Sequence, residues 1–109
     1  MTVAAVLVAA GSGSRLGRQQ PKAFVRVDGV PLVVHAARSL VACTDITAIV
    51  VVVPRGRVDE ARELLAGLAA DTRVVAGGAA RQASVAAGLA ALPDDADVVL
   101  VHDAARPFA

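Results

Sequence analysis

Apolar residues in this chain fall into short runs that stop at glycine or proline, and these runs alternate with stretches of helical period. Val3 to Ala9 is continuously apolar and ends at Gly11-Ser12-Gly13, which predicts a buried strand entering a loop. That loop extends to Pro21-Lys22. Ala23 to Val27 alternates weakly and meets a turn signal at Asp28-Gly29. Pro31 suits the first turn of a helix reaching about Ala42. Ala48 to Val53 reads as a second buried strand, stopped by Pro54 and Gly56. Across Val58 to Ala70, Ala61, Leu64, Leu65 and Leu68 share one helical face, and Asp59 and Glu60 lie in the first turn, where the helix dipole favours negative charge. Arg73 to Ala76 is a third strand, broken by Gly77-Gly78. Val85, Leu89 and Leu92 mark a further helix that exits at Pro93. Val98 to Val101 is the last strand, with His102-Asp103 at its carboxyl end.

Alternating strands and helices predict a doubly wound, Rossmann-like α/β domain with a mainly parallel sheet. Ligands of such sheets bind beyond the carboxyl ends of the strands, where the strand order reverses. The loops expected there are Ala10 to Lys22, Gly77 to Arg81 and His102 to Arg106.

Composition sharpens this picture. The 109 residues suit one domain, and 56% are apolar, with two Phe and no Trp or Tyr, as strands covered on both faces require. No apolar run reaches the roughly 18 residues of a membrane span. The N-terminus has neither a basic region nor a cleavage site, so a cytoplasmic protein is expected. A formal net charge of +1 and scarce aromatics argue against a nucleic-acid binder. The single cysteine, Cys43, excludes an internal disulfide framework and reads as a small buried hydrophobe.

Candidate chemistry is concentrated in the loops. Ala9-Ala10-Gly11-Ser12-Gly13-Ser14-Arg15-Leu16-Gly17, then Pro21-Lys22, combines glycines with fixed positive charge. Glycines let backbone N–H groups approach a phosphate, while Arg15 offers a fork and Lys22 a point charge. A glycine loop with incidental basic residues is the plainer alternative. Gly17 is followed by Arg18, so this is not a P-loop. The G-x-G-x-x-x-G spacing also departs from the dinucleotide fingerprint but occurs in some NADP-binding loops, and Arg55 could then read a 2′-phosphate. A reductase gives Pro21-Lys22 no role, whereas phosphoryl transfer gives the lysine one.

Ala9-Ala10-Gly11-x-Gly13-x-Arg15 with Pro21-Lys22 resembles the signature of the sugar-nucleotide and cytidylyl nucleotidyltransferases. Val101-His102-Asp103-Ala104-Ala105-Arg106-Pro107 resembles the more specific signature of the 2-C-methyl-D-erythritol 4-phosphate cytidylyltransferases, and Gly77-Gly78, Arg81 and Ala83-Ser84-Val85 sit where that family has its cytosine-binding loop. The resemblance runs end to end and implies a nucleotidyltransferase-type fold, with residues 1–109 as the nucleotide-binding part of a single domain. It implies transfer of CMP from CTP to 2-C-methyl-D-erythritol 4-phosphate, with Mg²⁺ and release of pyrophosphate, in isoprenoid precursor synthesis. Arg15 and Lys22 correspond to the catalytic pair at the α-phosphorus. Ala9, Ala10 and Gly11 would line the nucleotide, and Gly78 and Ser84 would face the cytosine and its ribose side. Asp103 would lie near the ribose and magnesium, and Ala104 and Arg106 would complete the last loop.

Two positions depart from the family pattern: Val8 stands where many members have proline, and Ala79 where some carry an acid after the two glycines. Family members also continue well past position 109, into a dimerising arm and basic residues for the acceptor. The expectation is therefore a truncated chain, inactive alone, from a protein that pairs as a homodimer; a non-catalytic nucleotide-binding fragment is a further alternative. His35 and His102 read as structural, Arg81 as a loop cap or phosphate contact, and Arg38, Arg55, Arg57 and Arg62 as surface charge.

Overall fold

In a computed structural model, which describes residues 2–10, 22–43, 45–68, 71–78 and 80–104 (of Lys22 the backbone only), β1 is Val3–Val8. Its sequence, VAAVLV, has no polar side chain, and from Ala4 onward it is buried, as a strand paired on both sides must be. A 3-10 turn, Lys22–Phe24, leads into a short hairpin of β2, Arg26–Val27, and β3, Val30–Pro31. Between them Asp28 and Gly29 take positive φ values of 54° and 79°, the turn conformation that the Asp-Gly pair predicted. Pro31 caps helix α1, Leu32–Val41, and strand β4, Ile46–Val53, follows.

Helix α2 is Val58–Leu64, β5 is Asp71–Ala76, α3 is Arg81–Ala90 and β6 is Val98–Asp103. The four longer strands form a parallel sheet in the order β5-β4-β1-β6. The chain thus moves outward from β1 through β4 to β5, then crosses back to lay β6 on the other side of β1. Because crossovers are right-handed, this reversal places helices on opposite faces. Ala5, Leu7, Ile49, Val51 and Val53 pack with α1 and α2 residues such as Val33, Ala37 and Ala61. Val6, Val8, Val50 and Val52 turn the other way, toward Val85, Ala91 and Leu92. The doubly wound parallel sheet is as expected.

Four readings need correction. The helix expected to reach Ala70 stops at Leu64, where Leu65 to Gly67 form a turn and the Leu68 amide donates to the Leu65 carbonyl at 3.2 Å. In α3 the face against the sheet is Ser84 and Gly88, whereas Leu89 is 45% exposed; small residues bring the helix close, and the larger side chain falls outside. Cys43 is exposed, since it lies in the turn after α1 with its amide donating to the Leu40 carbonyl. Finally, β6 pairs only with β1 among the described strands, and Val98 to Val101 each keep 37–45% of their surface, so this strand is not covered on both faces.

Candidate functional site

The strand order reverses between β1 and β6, so the crevice favoured for ligands opens beyond Val8 and Asp103, which are register partners. Three backbone hydrogen bonds carry the sheet ladder past the strand ends. The Ala9 amide donates to the Val52 carbonyl at 2.7 Å, the Gly77 amide to Val53 at 2.8 Å, and the Ala104 amide to Val8 at 2.9 Å. The chain is thereby tied to a neighbouring strand at or near the start of each of the three candidate loops. The same edge of the sheet gathers Ala9, Ala10, Gly78, Ser84, Asp103 and Ala104. Gly11, Arg15, Ala79 and Arg106 lie outside the described residues, and for Lys22 only the backbone position is described.

The far end of the first loop is anchored by burial. Ala23 and Phe24, immediately after Lys22, are 4% and 1% exposed and belong to the same buried cluster as Ala9 and Ala104. Phe24 is further held by Arg57, whose guanidinium lies 5.1 Å from the ring centroid and donates to Glu60 at 2.9 Å. The expectation of ordinary surface charge therefore missed a packing role for Arg57. Lys22 immediately precedes these two residues, which places the lysine backbone beside the core.

The second loop is compressed. A Cβ at Gly77 would lie 2.6 Å from Ser84 Oγ, 2.7 Å from Ala10 Cβ and 2.9 Å from Val52 Cγ1. Only glycine lets the turn sit directly over the end of β1. Ser84 is 2% exposed beneath that turn, and its hydroxyl donates to the Gly78 carbonyl across a long 3.5 Å. Ala83 crowds Gly78 in the same way, 2.4 Å from a hypothetical Cβ. Arg81 opens α3 and is exposed, while His102 and Asp103 are half-buried at the end of β6. His35 is structural, as expected: its Nε2 hydrogen-bonds the Val27 carbonyl at 2.8 Å and secures α1 to the hairpin.

Asp103 is the one carboxylate among the described residues at these strand ends, and no cluster of three or more metal-ligating side chains occurs among the described residues. A lone carboxylate of this kind fits Mg²⁺, which is commonly held by one or two carboxylates together with substrate phosphates. No helix among the described residues is long and apolar enough to cross a membrane.

Gly88 escaped the sequence reading. Its signal was available: a glycine inside a helical run costs about 1 kcal/mol relative to alanine and usually has a packing reason.

Comparison with known proteins adds identity to this geometry. The family model described as IspD, 2-C-methyl-D-erythritol 4-phosphate cytidylyltransferase, matches residues 3–109. A 2-C-methyl-D-erythritol 4-phosphate cytidylyltransferase from Streptomyces avermitilis is 47% identical over 96% of this chain and 44% of its own length. The bifunctional enzyme IspD/IspF of Nitratidesulfovibrio vulgaris is 49% identical over 95% of this chain and 29% of its own. Among solved structures, the 4-diphosphocytidyl-2C-methyl-D-erythritol synthase of Anaerococcus prevotii superposes with a TM-score of 0.84 at 28% identity, covering 99% of this chain and 45% of that one. The chain thus spans less than half the length of these relatives. With the family model matching residues 3–109 and relatives 47–49% identical over almost the whole of it, the chain belongs to the IspD, or 2-C-methyl-D-erythritol 4-phosphate cytidylyltransferase, family.

Proposed function

We propose that this chain supplies the nucleotide-binding part of an enzyme that transfers CMP from CTP to 2-C-methyl-D-erythritol 4-phosphate and releases pyrophosphate. The observation that carries the proposal is that Ala9–Ala10, Gly77–Gly78 and Asp103–Ala104 lie at the same carboxyl end of a sheet whose order reverses between β1 and β6, in a chain of this family. In the proposed reaction a phosphate oxygen of the acceptor attacks the α-phosphorus of CTP. A new P–O bond forms as the bond to the β-phosphate bridging oxygen breaks, and pyrophosphate takes the electron pair. The attacking phosphate is already anionic, so no side chain has to remove a proton, and His102 needs no role as a base. Rate acceleration comes from positioning and from charge placed where negative charge develops.

Within this proposal Arg15 and Lys22 stabilise the α-phosphate in the transition state. The backbone of Ala9, Ala10 and Gly11 lines the nucleotide, and Gly78 with Ser84 shapes the base site. Asp103, Ala104 and Arg106 form the ribose and phosphate side. Asp103 would hold Mg²⁺, which when bound neutralises triphosphate charge. The cytoplasmic location and the homodimer belong to the same proposal and rest on the family resemblance.

The test is a coupled pyrophosphate assay on the complete reading frame that carries this sequence, with Mg²⁺, the methylerythritol phosphate and each nucleoside triphosphate in turn. Release with CTP well above that with UTP, ATP or GTP is expected. Equal or faster release with ATP or GTP, or none with CTP, would overturn the assignment.

A further inference from the structure

Glycine is, after proline, the least favourable residue inside a helix, yet Gly88 occupies the middle of α3. A Cβ there would lie 2.4 Å from Val6 Cγ1 and 3.0 Å from Val52 Cγ2. Both valines are fully buried in strands paired on both sides, and branching at Cβ leaves them little rotameric freedom to yield. Helix α3 therefore rests its backbone directly on β1 and β4.

One turn earlier, on the same face of α3, Ser84 is buried beneath Gly77, and Gly77 in turn abuts Ala10 and Val52. Val52 thus touches both supports of the loop, Gly88 through one methyl group and Gly77 through the other. The distance of α3 from the sheet sets where the Gly77–Gly78 turn lies relative to the end of β1.

We infer that Gly88 is a positioning residue for base recognition: by seating α3 on Val6 and Val52 it fixes the gap between Ala10 and the Gly77–Gly78 turn. The inference rests on the cytidylyl-transfer reading above and adds a residue that touches no reacting atom. An added methyl group at 88 must lift α3 by about 1 Å to restore ordinary contact with Val6. A placement error of that size can cost about 10²-fold in rate.

Three variants of the complete protein test this: Gly88→Ala, Val6→Ile and the double variant Val6→Ala/Gly88→Ala. The readouts are kcat/KM for CTP and for UTP, with Tm measured alongside. Gly88→Ala pushes from the helix and Val6→Ile from the strand, so each is expected to lower kcat/KM for CTP by about 10–100-fold. Each should also narrow the CTP-to-UTP ratio about tenfold, on the same positional argument. The double variant removes both Val6 methyl groups that the new Cβ meets and leaves Val52 Cγ2 at 3.0 Å, so it should recover most of that ratio although its Tm stays low. A merely structural glycine would lower Tm and leave the ratio unchanged in the folded variants, which overturns the inference. Should Gly88→Ala not fold, Val6→Ile and the double variant decide the matter by the same ratio. A parent protein with no CTP turnover overturns both the functional reading and this inference; a parent that turns over CTP, with variants of unaltered ratio, overturns this inference alone.

Discussion

Replacing Gly77 by alanine puts one methyl group where three atoms already stand, at 2.6, 2.7 and 2.9 Å. Ser84 Oγ can rotate aside, at the expense of its contact with the Gly78 carbonyl. The other two cannot yield so easily. Ala10 Cβ has no rotamer, and Val52 is fully buried in β4, between β1 and β5. The strain must therefore pass to the backbone of the turn, and overpacking of this kind costs about 1–3 kcal/mol. Alanine also reduces the freedom of the unfolded chain, which offsets about 0.4–1 kcal/mol because Gly77 is not in the left-handed region. The net loss expected is about 1–2 kcal/mol. For a chain of 109 residues 1 kcal/mol corresponds to about 4 °C, so Tm should fall by about 4–8 °C. Gly67→Ala is the control: a Cβ at 67 has nothing within 4 Å, and the same unfolded-state effect should raise Tm by about 2–4 °C. Calorimetric or circular-dichroism melts of the two variants and the parent are sufficient. Opposite signs are expected, and a Gly77→Ala protein as stable as Gly67→Ala would refute the close packing of this loop on β1.

Three further outcomes are expected. In the complete enzyme Lys22→Ala should reduce kcat by about 10²-fold or more with a smaller change in KM, as for the loss of one donor to a developing charge; a change in KM alone would make Lys22 a uniform binder. Asp103→Asn should weaken the dependence of CTP binding on Mg²⁺, measured by titration calorimetry with and without the ion, and an unchanged dependence would remove Asp103 from the metal site. Leu7→Ala, at a fully buried position of β1, should cost about 2–5 kcal/mol in denaturant unfolding, and a cost below about 1 kcal/mol would contradict its place in the core.

Sequence alone determined the elements to a large degree. Continuous apolar runs such as Val3 to Ala9 and Ala48 to Val53 are legible as strands because a parallel sheet buries both faces of its interior strands. Gly77-Gly78 is legible as the end of a strand because glycine punctuates such runs. Tertiary structure decided what depends on partners distant in the chain. Only the β5-β4-β1-β6 order shows that β1 and β6 enclose the switch point, since strand order depends on handed crossovers and not on local pattern. Only the packing shows that α3 turns Ser84 and Gly88 toward the sheet and leaves Leu89 outside. Hydrophobic periodicity chose the larger side chain, whereas close approach of the helix favoured the smaller ones. Periodicity reports how apolar a face is; which face fits is settled by the shape of the surface it meets, and that surface is built by Val6 and Val52, 46 residues apart in sequence on the paired strands β1 and β4.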